Sequence, residues 1–436
     1  MKIAMIGAGS VVFVKNLLTD ILSSPELGGA TIALHDIDPE RLDTGVIMAR
    51  WTATQLRVKP RIEAHQDRRE CLRGADFVIN MVLIGGIRPI AAEFEIPAKF
   101  GLRQTVADTV GIGGIFRGLR TIPFMLELCQ EMAELCPRAL LLNYTNPMSI
   151  LTWAVYKAFP NQQVVGLCHN VQNTVEDLSR YLKVSQDRLS YDCAGINHMT
   201  WFLRLEIDGQ DAYPALRTAM EDPQIYDQDR VRFELFRQFG RFVSESSRHN
   251  AEYAPYFIKN EDEVKKYLVP VDDLKHKIVR RLGEFQETRR RLLANEGFEI
   301  KKSNEFGASI IRAKLTNQPT LIYGNVRNTG LIENLPDDCC VEVPVVIDGN
   351  GLRPCYAGTL PLELAAHCTP HVFVQGLTVD AALTGDRDLL YRAALLDRNA
   401  SAMLSIDQIR QMVDELVAYH GESLPEGLRS SNRRAA

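Results

Sequence analysis

The sequence has no excess of positive charge and no long apolar run. Lysine and arginine number 50 against 55 aspartates and glutamates, which gives a net charge of −5. A basic surface for nucleic acid or for an anionic membrane is therefore not predicted. No run of about eighteen apolar residues exists, so no membrane-spanning helix is predicted either. We expect neither nucleic acid nor a membrane as a partner.

Cysteine is present without the spacing of a disulfide or zinc framework. The nine cysteines are scattered, and an odd number in a long chain favours reduced thiols. The first residues enter a strand-like run at 2–6 with no pattern of a signal peptide. We therefore expect a cytoplasmic protein.

Length and pattern predict two globular units. The chain has 436 residues, of which 46% are hydrophobic, and so long a chain exceeds one ordinary core. Strand-like runs alternate with helical segments over the first half, which predicts an α/β fold with an N-terminal Rossmann-like, doubly wound parallel sheet at 1–195. Longer helices frame a mixed region afterwards, which predicts a C-terminal α+β domain at 196–436. The polar end at 429–436 is expected to fray.

A glycine turn follows the first strand-like run. Gly7-Ala8-Gly9-Ser10 comes directly after residues 2–6 and precedes a helical segment. Such glycines let a backbone approach a pyrophosphate at a helix N-terminus, although the third glycine position of this pattern is Val12. Asp36 ends the second strand-like run, where a carboxylate accepts from ribose hydroxyls; Asp38 is a rival for that role. NAD is therefore predicted, the alternative being an ordinary αβ unit with a helix-capping aspartate.

A glycine-rich segment at 110–120 opens a long helical stretch. Its two arginines, Arg117 and Arg120, either face an anionic or polyhydroxyl group or carry surface charge. Both interpretations stay open on the sequence alone.

Polar residues follow the apolar runs at 139–142 and 163–168. Asn143 directly follows the first run, and Asn146 precedes Pro147 just beyond it. Ligands of parallel sheets bind at such carboxyl ends of strands. We therefore expect this edge of the sheet to carry the functional site.

A thiol and two imidazoles mark the second of these strand ends. Cys168 and His169 are adjacent, and His198 follows in a predicted turn between two strands. Thiolate and neutral imidazole suit a divalent transition metal, although a lone cysteine is more often a buried apolar residue. Adjacent strand residues point to opposite faces, so His169 is expected to face away from Cys168 and to act as an acid or base.

Taken together, these motifs resemble those of glycoside hydrolase family 4. The resemblance covers nearly the whole chain, and the combination is specific where each segment alone is not. The segments that carry it are 7–10, 13–16, 107–111, 143–148, 166–172, 193–199, 245–253 and 323–328.

The resemblance implies a fold like that of lactate and malate dehydrogenases and a glycosidase that uses NAD and a divalent metal, usually Mn²⁺. This family is an exception to hydrolysis by two carboxylates. The implied reaction oxidises C3 of the sugar, removes the C2 proton, and expels the glycosidic oxygen before water adds and the hydride returns. Homodimers or homotetramers are the family's habit.

Site residues follow from the resemblance position by position. Cys168 and His198 would hold the metal, and His169 would protonate the leaving oxygen. Sugar-binding roles fall to Asn146, Asp108 and His249, while Asn143 joins the residues predicted to bind NAD, namely Gly7, Gly9, Ser10 and Asp36. The C2 base is assigned to Tyr253, with His249 or Glu252 in reserve.

The residues after Cys168 bear on the substrate. Relatives that cleave phosphosugars carry Asn or Asp there and a proline two places on, whereas this chain has His169-Asn170-Val171. The resemblance therefore implies an unphosphorylated α-glycoside, most closely an α-galactoside such as melibiose. α-Glucoside, α-galacturonide and α-glucuronide specificities remain alternatives, since Asn170 replaces the usual Ser.

Two other functions compete with the glycosidase. A net NAD-dependent dehydrogenase of a sugar or hydroxy acid also carries an Asn-Pro pair at a strand tip, but it needs no metal thiolate. A non-enzymatic NAD-sensing protein would keep the fold without Cys168, His169 and His198 acting together.

Overall fold

The fold is described from a computed structural model, which covers residues 1–429 and their side chains except those of 12 and 274–282. The polar end predicted to fray lies, from residue 430 onward, outside the described residues. Within the described part, no helix is both long and apolar enough to cross a membrane.

The first half forms six parallel strands in the order β3-β2-β1-β4-β5-β6. The strands are β1 (Lys2–Ile6), β2 (Thr31–His35), β3 (Arg61–His65), β4 (Phe77–Asn80), β5 (Leu140–Asn143) and β6 (Val164–Gly166). The helices between and after them are α1 (Val11–Leu22), α2 (Pro39–Leu56), α3 (Arg68–Leu72), α4 (Ile87–Lys99), α5 (Gly111–Leu135), α6 (Met148–Ala158) and α7 (Asn170–Leu182).

The second half continues the same sheet with antiparallel strands, in the order β6-β10-β11-β7-β8-β9, while β12 pairs with β11. These strands are β7 (Leu189–Ile196), β8 (Met199–Ile207), β9 (Gln210–Asp211), β10 (Thr320–Arg327), β11 (Cys340–Asp348) and β12 (Gly351–Pro354). The helices are α8 (Tyr213–Ala219), α9 (Pro223–Tyr226), α10 (Arg230–Phe239), α11 (Ser247–Tyr253), α12 (Glu261–Lys266), α13 (Asp273–Leu293), α14 (Gly307–Thr316), α15 (Leu362–Thr384), α16 (Arg387–Leu396), α17 (Arg398–Met403), α18 (Ile406–His420) and α19 (Glu426–Arg429).

The predicted fold class is confirmed: a doubly wound parallel sheet comes first and a mixed helical and antiparallel part follows. Strand β3 is not predicted from the sequence, because its residues Arg-Ile-Glu-Ala-His have no continuous apolar run and lie at the sheet edge. Since the sheet is continuous and the β7–β8 hairpin spans residue 195, the division at 195/196 stays a prediction.

Four neighbouring parallel strands end in register and create the edge that carries the site. Ile6, Asn80, Asn143 and Gly166 are successive partners across β1, β4, β5 and β6. Asn325 of β10 then pairs with Gly166. Apolar strand interiors pack between helices on both faces, so this carboxyl edge is where polar side chains collect.

Candidate active site

The glycine turn lies between the ends of β1 and β2. Gly7 has φ +87°, and a Cβ there would meet Val82 at 3.1 Å. The Gly9 amide donates to the Asp36 carboxylate at 2.8 Å. Ser10 is the N-cap of α1 and makes no side-chain capping bond. Asp38, the rival acid, accepts from the Glu40 and Arg41 amides and caps α2, so Asp36 is the acid beside the turn.

Asn143 and Asn146 have different surroundings. Asn143 is fully buried, and its amide joins Asn80 and Thr145 within the strand tip. The polar atoms of this side chain are thus bound within the protein, and its assignment to NAD binding stays a prediction. Asn146 is half-buried, and its Nδ2 donates to Asp108 Oδ2 at 3.3 Å. The structure therefore brings together two of the residues predicted to bind sugar.

Three ligand atoms converge beside this tip. Cys168 Sγ lies 3.3 Å from His198 Nε2, and a Glu245 oxygen lies 3.8 Å from the same nitrogen. All three ligand atoms are within 4.8 Å of one another. His198 and Glu245 both have left-handed backbone, with φ of 64° and 74°. Strained backbone of this kind concentrates at functional sites.

The chemistry of this donor set fits a divalent cation. Burial lowers the pKa of His198 to about 4, so the imidazole is neutral, as a ligand must be. Burial and the carboxylates of Glu245 and Glu342 raise the pKa of the Cys168 thiol well above its usual range. A bound cation would offset those charges and favour the thiolate. Sulfur, nitrogen and carboxylate oxygen thus suit a metal such as Mn²⁺ or Zn²⁺.

His169 lies apart from this cluster. Its Nδ1 is 3.4 Å from Glu305 Oε1, and its side chain is 41% exposed. The hydrogen bond that His169 donates to Glu305 raises the pKa of His169, so the imidazole holds a proton more readily than an ordinary histidine. His169 is not among the three clustered ligand atoms, as predicted, but the predicted reason, alternation along a strand, is wrong. Strand β6 ends at Gly166, and His169 is the N-cap of α7 rather than a strand residue.

A row of alternating charges runs from Glu245 to Arg117. His249 Nδ1 lies 2.8 Å from Glu245 Oε1, and its Nε2 lies 3.7 Å from Asp108 Oδ1. Arg117 Nη1 follows at 3.7 Å from Asp108 Oδ2. Burial opposes protonation of His249, but the two carboxylates outweigh it and raise its pKa to about 10. At neutral pH the row is therefore two anions alternating with two cations.

The structure does not bring a free Tyr253 hydroxyl to the cleft. Tyr253 is 0% exposed, and its hydroxyl donates to the Asn197 carbonyl at 2.8 Å. Burial and neighbouring carboxylates raise its pKa well above the usual value. Glu252, a reserve for the same role, accepts three backbone amides from the loop before Asp108. Both residues thus hold loops through these hydrogen bonds, and the assignment of the C2 base to Tyr253, with His249 or Glu252 in reserve, stays a prediction.

Arg117 and Arg120, whose roles the sequence does not distinguish, have different partners in the structure. Arg120 and Glu93 form a buried ion pair at 3.0 Å, each side chain 1% exposed, so Arg120 is structural. Arg117, one turn earlier on α5, contacts the site through Asp108. Sequence reasoning also missed Glu245 and Glu305, because an acid far along the chain carries no spacing signal toward Cys168.

Two family descriptions match this chain in succession. "Family 4 glycosyl hydrolase" matches residues 2–184, and "Family 4 glycosyl hydrolase C-terminal domain" matches residues 193–400. The chain belongs to glycoside hydrolase family 4. The resemblance drawn from the motifs is therefore confirmed.

Similar family 4 members include two α-galactosidases. The chain is 44% identical to an α-galactosidase of Bacillus subtilis (strain 168), covering 98% of this chain and 99% of that relative. It is 36% identical to an α-galactosidase of Rhizobium meliloti (strain 1021), covering 98% and 89%.

Solved structures share the fold. A 6-phospho-alpha-glucosidase from gut microorganisms, in complex with NAD and Mn²⁺, superposes with a TM-score of 0.80 at 20% identity. The superposition covers 98% of this chain and 99% of that one. The family 4 fold is thus present over nearly the full length.

Proposed function

We propose that this family 4 protein is an α-galactosidase that depends on NAD and a divalent metal and acts on unphosphorylated α-galactosides such as melibiose. The observation that carries the proposal is the convergence of Cys168, His198 and Glu245 beside the strand tips. The sequence supports the proposal through its 44% identity to an α-galactosidase over almost all of both chains.

NAD would bind at the turn of Gly7, Gly9 and Ser10, with Asp36 toward the ribose, and Mn²⁺ would be held by Cys168 and His198. When bound, NAD would accept the hydride of sugar C3, and the cation would polarise the carbonyl so formed. Gly9 lets Asp36 lie against the turn, since a Cβ there would meet the Asp36 carboxylate at 2.6 Å. The neutral His198 imidazole fits a metal ligand.

The chain's own groups would move two protons. His169, protonated beside Glu305, would give its proton to the glycosidic oxygen as the C1–oxygen bond breaks. With Cys168 and His198 as the metal ligands, Glu245 would be left to take the proton from C2, because its carboxylate is ionised beside the cation site, whereas the Tyr253 hydroxyl donates to a backbone carbonyl. His249 would stabilise the anionic form of Glu245, since it lies 2.8 Å from that carboxylate.

The charges of the cleft favour a neutral sugar. Arg117 and His249 each lie against a carboxylate, Asp108 or Glu245. A uronate would add a negative charge, and both cations are already paired with carboxylates of the protein. Asn146 and Asp108 would instead bind sugar hydroxyls, which both donate and accept hydrogen bonds. Galactoside and glucoside remain to be separated by assay.

The test is hydrolysis of p-nitrophenyl α-galactoside with and without NAD and Mn²⁺, with NADH absorbance followed in parallel. We expect hydrolysis that needs both additions and no accumulation of NADH. Steady formation of NADH with a sugar alcohol or hydroxy acid would favour the competing dehydrogenase. The α-glucoside and α-galacturonide, assayed in the same way, rank the alternative substrates. Deuterium at sugar C2 should slow turnover if proton removal limits the rate.

Assembly and location form a separate part of the proposal. We propose a homodimer or homotetramer, to be measured by light scattering during gel filtration. A cytoplasmic location is supported by the nine cysteines, all of which are free thiols. Fractionation of the producing cells tests it directly.

A further inference from the structure

Glu342 is a fully buried glutamate on β11, beneath the strand tips of the site. Its carboxylate accepts from Asn170 Nδ2 at 2.7 Å and from Asn325 Nδ2 at 3.0 Å. The Thr200 hydroxyl donates to it as well. Burial of a carboxylate costs free energy unless hydrogen bonds satisfy it. Here three side-chain donors from three different segments do so, and the carboxylate thereby organises those segments.

Two of these donors lie next to the predicted metal ligands in the chain. Asn170 follows Cys168 by two residues, and Thr200 follows His198 by two residues. Glu342 thus connects the start of α7 to the start of β8, directly after the turn that carries His198. Its two hydrogen bonds fix the spacing between the segments that present the sulfur and the nitrogen.

The third metal-facing segment joins the same network through Ser244, which precedes Glu245. The Ser244 hydroxyl accepts from Asn170 Nδ2 at 3.1 Å and from the Thr200 amide at 3.2 Å. The Ser244 amide in turn donates to the Thr200 carbonyl at 2.8 Å. All three segments that carry Cys168, His198 and Glu245 are therefore connected within two residues of the ligand.

We propose that Glu342 is a positioning residue for the metal site: it holds the segments of Cys168, His198 and Glu245 in register and thereby sets the affinity for the divalent cation. The inference rests on the proposed function, because it concerns the same cation. Carboxylates behind the direct ligands of metal sites typically change affinity by about 10- to 100-fold.

The test compares Glu342→Gln with wild type in direct binding of Mn²⁺ to the NAD-free protein, followed by electron paramagnetic resonance of free Mn²⁺. The glutamine has the same size but points an NH₂ group at amide donors. We expect the Kd for Mn²⁺ to rise by about tenfold or more. With Co²⁺, the thiolate-to-metal charge-transfer band should weaken or shift, which a purely structural role would not cause.

Asp348→Asn is the matched control, because Asp348 is a buried carboxylate on the same strand that pairs with Arg353 at 2.9 Å. It should bind Mn²⁺ as wild type does. Thr200→Val is the second variant if Glu342→Gln fails to fold, since it removes one donor without changing side-chain size. It should raise the Kd several-fold, and Glu342→Asp should fall between wild type and Glu342→Gln.

The outcomes separate the inference from the proposed function. Wild-type Mn²⁺ affinity in folded Glu342→Gln, or in Thr200→Val if only that variant folds, overturns the role of Glu342 alone. Failure of the wild-type protein to bind Mn²⁺ and to form the cobalt–thiolate band overturns the metal site and this inference together. Normal binding in wild type with inactivity on every α-glycoside overturns only the proposed substrate.

Discussion

Exchange of a single atom at Cys168 tests whether its sulfur is a metal ligand. Replacing its sulfur with oxygen in Cys168→Ser removes the soft ligand but little volume. We expect kcat/KM on an α-galactoside to fall by about 100-fold or more at fixed Mn²⁺, because a direct ligand is lost. Cys355→Ser is the control, since Cys355 is half-buried and outside the site. Full activity of Cys168→Ser would contradict the glycosidase mechanism and favour a dehydrogenase.

A second prediction for single residues distinguishes Glu245 from Tyr253 as the base that removes the C2 proton. We expect Glu245→Gln to lower kcat by about 10²- to 10⁴-fold, the usual contribution of a general base. Tyr253→Phe should keep kcat within about tenfold and lose about 1 kcal/mol of stability, the net value of its bond to the Asn197 carbonyl. Steady-state kinetics and urea unfolding measure both effects. A large loss of kcat in Tyr253→Phe alone would restore the tyrosine as the base.

At the scale of elements, the β1–α1 turn can be tested through glycine. In Gly9→Ala the new methyl group would meet Asp36 Oδ2 at 2.6 Å and Arg41 Cβ at 2.5 Å, so the acid beside the turn must move. We expect the Kd for NAD to rise about tenfold or more. Gly29→Ala is the matched control, because nothing lies within 4 Å of a Cβ there. Quenching of tryptophan fluorescence by NAD measures both, and equal affinities would place the nucleotide elsewhere.

At the scale of the whole molecule, buried histidine couples folding to pH. Burial lowers the pKa of His371 from 6.5 to about 3, while its Nε2 hydrogen-bonds the Tyr253 carbonyl at 2.9 Å. Above pH 6.5 this group is neutral in both the folded and unfolded states. As pH falls below 6.5, the unfolded chain binds a proton at His371 and the folded chain does not, so the free energy of unfolding decreases.

The variant His371→Gln isolates that contribution, because glutamine keeps an N–H donor but does not titrate. The stability of wild type relative to this variant should fall by up to about 1.4 kcal/mol per pH unit between roughly pH 6 and 4. Urea unfolding at several pH values measures the difference. A difference that stays constant with pH would show that His371 has the same pKa in the folded and the unfolded protein.

Some features of this protein could be determined from its sequence because they depend on local order along the chain. The strand, glycine turn and helix at the start, and Cys168 and Asn146 just beyond strand ends, follow from periodicity and turn chemistry. These patterns predict the fold class, and the resemblance of the motifs adds the family. The residue types of Cys168 and His198 predict the thiol–imidazole pair, which the structure places 3.3 Å apart.

Only the tertiary structure decided the burial and the hydrogen-bond partners, because these depend on residues that are distant in the sequence. Asn143 and Tyr253 carry the right chemistry, but packing buries both and occupies their polar atoms. Glu245, Glu305 and Glu342 reach the site from distant segments, where no spacing rule links an acid to Cys168. Hydrogen-bond occupancy and burial are properties of the folded chain, so the composition of the candidate site could not be completed from the sequence alone.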